Sequence, residues 1–253
     1  MPIFINVPYK MVAANIKRIV EFKLGVEIYA GNDVIDDLDM ENVREMSEIL
    51  QDNNISCTVH APYKDLCPGG FDKTIKAISK DKIKKSVEMA NVLHATNIVC
   101  HPGYDKWRFD HNEQQWLDSS LETWTEILKE ADDGLMVTLE NIFEETPSTF
   151  LAIFHYFKDK NLYFCFDSGH FNLFSTVSLD GWLTPLKDRI REMHLHDNHG
   201  NIDEHLPIGR GTFPFRELKA FLRHTNGEII YTAEIASESH VGESIKNAKE
   251  FLS

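Results

Sequence analysis

Short apolar runs alternate with longer amphipathic stretches along the whole chain. Residues 3–7 read as a brief buried strand. Residues 26–29, 56–59, 97–100, 135–139, 163–166, 192–196 and 229–233 read the same way, each bounded by polar or turn residues. Between them the apolar positions fall at helical spacing. The first helix carries Ile16, Ile19, Val20 and Phe22 on one side and is closed by Gly25. The next, about 40–51, buries Val43, Met46, Ile49 and Leu50. Helices follow near 75–93 and 113–130, then one entered through Pro147 with Ser148, Phe150, Leu151 and Phe154 inside it. Three more are expected near 179–187, 215–224 and 245–252.

Eight strands alternating with helices predict a parallel sheet wrapped by helices, closed into a single (β/α)8 barrel that occupies residues 1–253 as one domain. An open doubly wound sheet is the alternative. It would bring a glycine-rich phosphate turn after the first strand, and Val7-Pro8-Tyr9 is not one.

Composition narrows the function. The 42% hydrophobic and 11% aromatic shares suffice for a large core. The apolar run at 2–7 is too short for a secretory signal, and no stretch reaches membrane-spanning length. Cys57, Cys67, Cys100 and Cys165 form no C-x-x-C pair and three lie in expected strands, so reduced thiols in a cytoplasmic protein are expected. With 26 basic against 40 acidic residues the formal charge is −14. Duplex binding needs clustered Lys and Arg, and the small basic run at 80–85 reads as a solvated helix face. A small-molecule substrate is expected, with neither nucleic acid nor a membrane as partner.

Candidate chemistry collects at strand ends, where barrels of this kind place their active sites. His60, His101, Glu140, Asp167, His194 and Glu234 close six of the eight strands. Thr138 and Glu140, Cys165 and Asp167, and Thr232 and Glu234 share a face, so the three carboxylates are expected to point inward. Three inward carboxylates repel one another unless cations or arginines partner them. The sequence leaves both open: divalent cations, or an ion network with Arg189, Arg191 and Arg210. Residues 191–211 add His196, followed by a loop carrying Asp203 and His205. Mixed His and carboxylate donors suit Zn2+ first, with Mn2+, Fe2+ or Co2+ as alternatives, over Mg2+ or Ca2+. The absence of Cys donors argues against a purely structural zinc.

As a set, H-A-P-Y at 60–63, H-P-G at 101–103, L-E-N at 139–141, D-S-G-H at 167–170, M-H-L-H-D at 193–197, D-E-H at 203–205 and Glu234 resemble the xylose isomerase-like barrel superfamily over nearly the whole chain. Two branches give two implications. The sugar isomerases and epimerases imply one divalent metal on Glu140, Asp167, His194 and Glu234, with the two glutamates moving a proton and His170 near the substrate. The endonuclease IV branch implies three zinc ions on His60, His101, Glu140, Asp167, His170, His194, Asp203, His205 and Glu234, all filled here by the required residue types. Two departures count against a DNA substrate: Arg210 stands in a Gly-x-Gly turn that is usually acidic, and the chain is shorter and far more acidic. The resulting expectation is a metal-dependent phosphoester hydrolase acting on a small sugar-phosphate or nucleotide-like substrate, as cobamide-remodelling phosphodiesterases of the superfamily illustrate. Glu140, Glu234 and His170 would be catalytic, and His196, Arg210 and Tyr63 would contact substrate. The alternatives are a one-metal sugar isomerase and a non-catalytic binder.

Overall fold

A computed structural model describes residues 2–225 and 227–253. In chain order the elements are β1 (Phe4–Pro8), α1 (Tyr9–Phe22), β2 (Gly25–Tyr29), α2 (Asn32–Ile35), α3 (Met40–Asp52), β3 (Cys57–His60) and α4 (Lys73–Val92). Then come β4 (Asn97–Cys100), α5 (Glu113–Ile127), β5 (Met136–Glu140), α6 (Ser148–Tyr156), β6 (Leu162–Asp167), α7 (Ser168–Phe174) and α8 (Leu179–Leu186). The chain ends with β7 (Ile190–Leu195), α9 (Phe215–Leu222), β8 (Ile230–Ala233) and α10 (Val241–Leu252). Each strand pairs in parallel with the next and β8 returns to β1, giving a single closed (β/α)8 barrel. The closing seam is short: Phe4 pairs with Thr232 and Ile5 with Ala233, whereas β1 and β2 pair over five residues.

The helices are held by local polar signals as well as by burial. Asp39 accepts the amide hydrogen of Glu41 at the start of α3, and Asp72 accepts those of Thr74 and Ile75 at the start of α4. Between the sheet and its helices, Phe150, Phe164 and Trp182 pack ring against ring with centroids 4.9–6.1 Å apart. Gly25 sits in β2 and does not end α1. Lys23, at φ +54°, takes that cap, while a Cβ at Gly25 would lie 2.7 Å from the Phe4 ring. Val20 and Phe22 face outward, and Val12 joins Ile19 on the buried side of α1, because the helix is rotated from the face expected. Helix α2 has no counterpart in the sequence reading, and α5 ends at Ile127, short of the expected 130. No described helix is long and apolar enough to cross a membrane.

Inside the barrel the inward positions carry polar groups in place of the usual branched hydrocarbons. The Asn97 amide donates to Thr138 Oγ1 (2.9 Å) and to Glu192 Oε2 (2.6 Å), and the Thr232 hydroxyl donates to Glu192 Oε1 (2.6 Å). Four strands thus meet across the barrel axis in one hydrogen-bonded layer. It forms the floor on which the strand-end residues stand.

Candidate metal centre

Three groups of nitrogen and oxygen donors converge above that floor, in a cup of about 160 Å³ at the C-terminal ends of the strands. In the first, His60 Nε2 and His101 Nε2 each lie 3.1 Å from Glu140 Oε2 and 3.4 Å from each other. In the second, His194 Nδ1 lies 3.4 Å from Glu140 Oε1, 3.4 Å from Glu234 Oε1 and 3.8 Å from Asp167 Oδ2. In the third, Asp203 Oδ2 lies 2.9 Å from His205 Nε2 and 3.4 Å from His170 Nε2. Glu140 belongs to two groups, one oxygen facing each.

Outer hydrogen bonds fix which nitrogen of each ring faces inward. His60 Nδ1 donates to the carbonyl of Ala61 (2.8 Å), and His170 Nδ1 donates to that of Asn141 (2.9 Å). A carbonyl can only accept, so Nε2 of each ring is left free to act as a donor atom toward a cation. His194 is turned the other way: its Nε2 faces Glu27 Oε2 at 3.1 Å, leaving Nδ1 toward the carboxylates. Asn141 clips the ends of β5 and β6 together, donating to the Asp167 carbonyl and accepting its amide hydrogen. Asp167 also caps α7 by accepting the His170 amide hydrogen, so β6 runs into its helix without a loop.

The electrostatics is that of anions and imidazoles sharing a dry space. Burial pushes the Glu140 carboxyl up, but His101 and His194 outweigh it and hold it well below its ordinary value. Asp167 and Asp203 are lowered in the same manner, against burial, by His170 and His196 and by His170 and His205 respectively. Conversely, burial pulls the His194 and His170 imidazoles down, and the surrounding anions raise both well above the usual value. Burial leaves His101 lowered in spite of Glu140.

The donor set fits divalent cations. If His60 Nδ1 donates to Ala61, a hydrogen bond from His60 Nε2 to Glu140 requires a buried imidazolium, and His101 points at the same oxygen. A cation replaces those protons without that cost. The 3.1–3.4 Å triangle matches the edge, about 3.3 Å, of a tetrahedron whose ligands lie ~2.0–2.1 Å from a zinc-like ion. Buried His101 Nδ1, His194 Nδ1 and His196 Nδ1 have no hydrogen-bond partner among the described residues.

The nine expected ligand residues are therefore brought together. The three expected substrate contacts are placed differently from one another. Tyr63 lines the cup and stacks on His101, with centroids 4.6 Å apart. His196 is fully buried behind Asp167, its Nε2 2.9 Å from Oδ2, and packs so closely on Gly169 that a Cβ there would lie 2.0 Å from its ring. Arg210 leans outward to Glu243 (2.8 Å), because its turn is pinned from the other side. Asp197 accepts the amide hydrogens of Gly209, Gly211 and Phe213 at 2.9–3.0 Å. The arginine network weighed above does not form: Arg189 bonds the carbonyls of Leu162 and Lys158, and Arg191 lies over the Tyr163 ring.

Sequence reading missed Glu27, Asn6, Tyr29 and Lys64. Asn6, Tyr29 and Lys64 line the cup. Asn6 donates to Glu27 Oε1 (2.8 Å) and so steadies the carboxylate that turns His194. A lone glutamate in the otherwise apolar run G-V-E-I-Y was the available signal for Glu27, because an acid in a barrel strand needs a partner.

A family model described as the xylose isomerase-like TIM barrel matches residues 24–253. An uncharacterized protein of Methanocaldococcus jannaschii is 30% identical over 224 residues, covering 85% of this chain and 75% of that one. A probable endonuclease 4 of Staphylococcus carnosus is 25% identical over 237 residues, covering 85% and 76%. Among solved structures, a D-tagatose 3-epimerase-like protein superposes with a TM-score of 0.84 at 26% identity, covering 100% of this chain and 97% of its own.

Proposed function

Since this chain belongs to the xylose isomerase-like TIM barrel family, we propose that it is a divalent-metal-dependent hydrolase of small phosphoesters. The observation that carries the reading is the pairing of His60 and His101 on one oxygen of Glu140 while its other oxygen faces His194. A one-metal isomerase uses Glu140, Asp167, His194 and Glu234 and leaves His60 and His101 idle. A multinuclear centre uses all of them. His60, His101 and Glu140 would hold one ion, Glu140, Asp167, His194 and Glu234 a second, and His170, Asp203 and His205 a third. Such ions supply a lowered pKa for water and neutralise charge developing on phosphoryl oxygens.

The chain's own groups do the rest. Burial and nearby anions push the Tyr63 hydroxyl above its usual pKa, so it stays protonated and can donate to a phosphoryl oxygen. Glu234 would be the group that takes a proton from water; it stands at the edge of the cup with its oxygens near His194 and His205. The overall charge of −14 disfavours a polymer of phosphates, and a compact cup favours a small one.

The second reading, a sugar epimerase with one ion and a Glu140/Glu234 proton relay, draws support from the similarity to the D-tagatose 3-epimerase-like structure. Elemental analysis of protein purified without chelators separates the two. Close to three ions per chain is expected for hydrolysis and one for epimerisation. Glu140→Ala should abolish loading and turnover. His60→Ala or His101→Ala should cost one ion and roughly 100-fold or more in phosphoester turnover. Unchanged turnover in both histidine variants would overturn the hydrolase reading.

A further inference from the structure

Few cations stand at the mouth of the barrel, and most are already engaged. Lys10 pairs with Asp33 (2.5 Å), Lys106 with Glu145 (2.5 Å) and Arg210 with Glu243 (2.8 Å). Lys64, after β3, and Arg108, after β4, make no ion pair among the described residues, and both line the same cavity of about 380 Å³. That cavity adjoins the cup. Tyr63, Lys64 and His101 line both, and the stacked rings of Tyr63 and His101 form the partition. Ile142 and Phe143, after β5, give the cavity apolar lining. Of the two acids on its rim, Asp105 is turned to the Trp107 amide (2.9 Å), and Asp65 is exposed.

Exposed cations on a flat surface contribute little to binding, but two at a concave site with apolar walls act on an anion through a less screened field. In a chain of net charge −14, an unengaged Lys and Arg on one cleft beside a metal-type cup have a specific use. We propose that this cleft receives the part of the substrate distal to the reacting phosphoryl group, and that this part carries a second anionic group held between Lys64 and Arg108. The inference rests on the phosphoester reading of the cup and narrows it: the substrate is a bis-anionic small molecule with a flat or apolar body against Ile142 and Phe143.

The test is calorimetric titration of the metal-loaded protein and of the R108A variant, whose lost side chain lines the cleft and not the cup, with inorganic phosphate, adenosine 5′-monophosphate and adenosine 3′,5′-bisphosphate. The wild-type protein should bind the bisphosphate about tenfold or more tightly than the monophosphate. The variant should lose that preference while keeping its metal content, its melting temperature and its affinity for inorganic phosphate. Equal affinity of the wild-type protein for the two nucleotides, binding of neither included, overturns the proposal. So does a preference that survives in the variant. Inorganic phosphate binding that the R108A variant retains reports on the cup. Loss of its binding with the bisphosphate preference intact would sink the phosphoester reading while leaving the anion cleft in place.

Discussion

Glu27 Oε2 lies 3.1 Å from His194 Nε2, with both side chains fully buried. Burial pushes the Glu27 carboxyl up, yet the His194 imidazole outweighs it and keeps the group lowered and ionised. The pair spans from β2 to β7 and decides which face of the imidazole meets Glu140, Asp167 and Glu234. Glu27→Gln keeps the shape but weakens the acceptor. It should lower affinity for one ion of the centre 10- to 100-fold, in the range known for carboxylates behind a liganding histidine. Competition with a coloured chelator measures this. An unchanged affinity would show that His194 is oriented by packing alone.

Chelation should expose the repulsion stored in the cup. Glu140, Asp167, Asp203 and Glu234 stand around a shared space, so stripping cations leaves only imidazolium protons to offset them. An ion held at 100 times its dissociation constant contributes about 2.7 kcal/mol. The melting temperature should therefore fall on dialysis against a chelator by roughly 5–10 °C for each ion lost, at about 2–4 °C per kcal/mol for a chain of this size. Zn2+ should restore it, and a thermal shift assay on both samples gives the answer.

Asp197 anchors the loop after β7. Its side chain is fully buried and accepts three amide hydrogens from residues 209–213. Asp197→Ala would orphan those donors, at a cost on the order of 3 kcal/mol. It should also free the segment holding Asp203 and His205. Denaturant unfolding should show the loss, and limited proteolysis should cut near 200–212. Resistance equal to the wild type would mean the loop is held elsewhere.

The four thiols are free and buried. Burial pushes Cys57 up to about 12, and it drives Cys100 and Cys165 up as well. Reaction requires the thiolate, so at pH 8 a group with such a pKa is ionised in only about one molecule in ten thousand. A disulfide reagent should label none of the three in the native protein at pH 8 and all of them after unfolding. Prompt native labelling would reveal local opening of the barrel.

The barrel and its ring of donors were legible because both depend on local pattern. Each strand is a short apolar run, and each expected ligand of the sheet lies at or near the end of such a run, so closure alone brings them together. His196 and Arg210 were harder. Their directions are set by Gly169, which admits the imidazole behind Asp167, and by Asp197, which fixes the turn so that Arg210 leans toward α10. Neither is a neighbour that sequence spacing could supply. Glu27 was passed over because its partner is 167 residues away. The outward turn of Val20 was hidden because helical periodicity gives a face without its absolute rotation against the sheet.

The two-residue seam between β1 and β8 has a mechanical corollary. Every donor of the cup comes from β3 through β8 or the loops that follow them, and none comes from β1 or β2. Ions would tie one arc of the cylinder into a rigid horseshoe and leave its clasp untouched. Breathing at the clasp and loss of ions are then independent events. Amides of Phe4 and Ile5, on the seam strand that supplies no ligand, should exchange at the same rate in stripped and loaded protein, while those at the ends of β5 and β6 slow when metal is added.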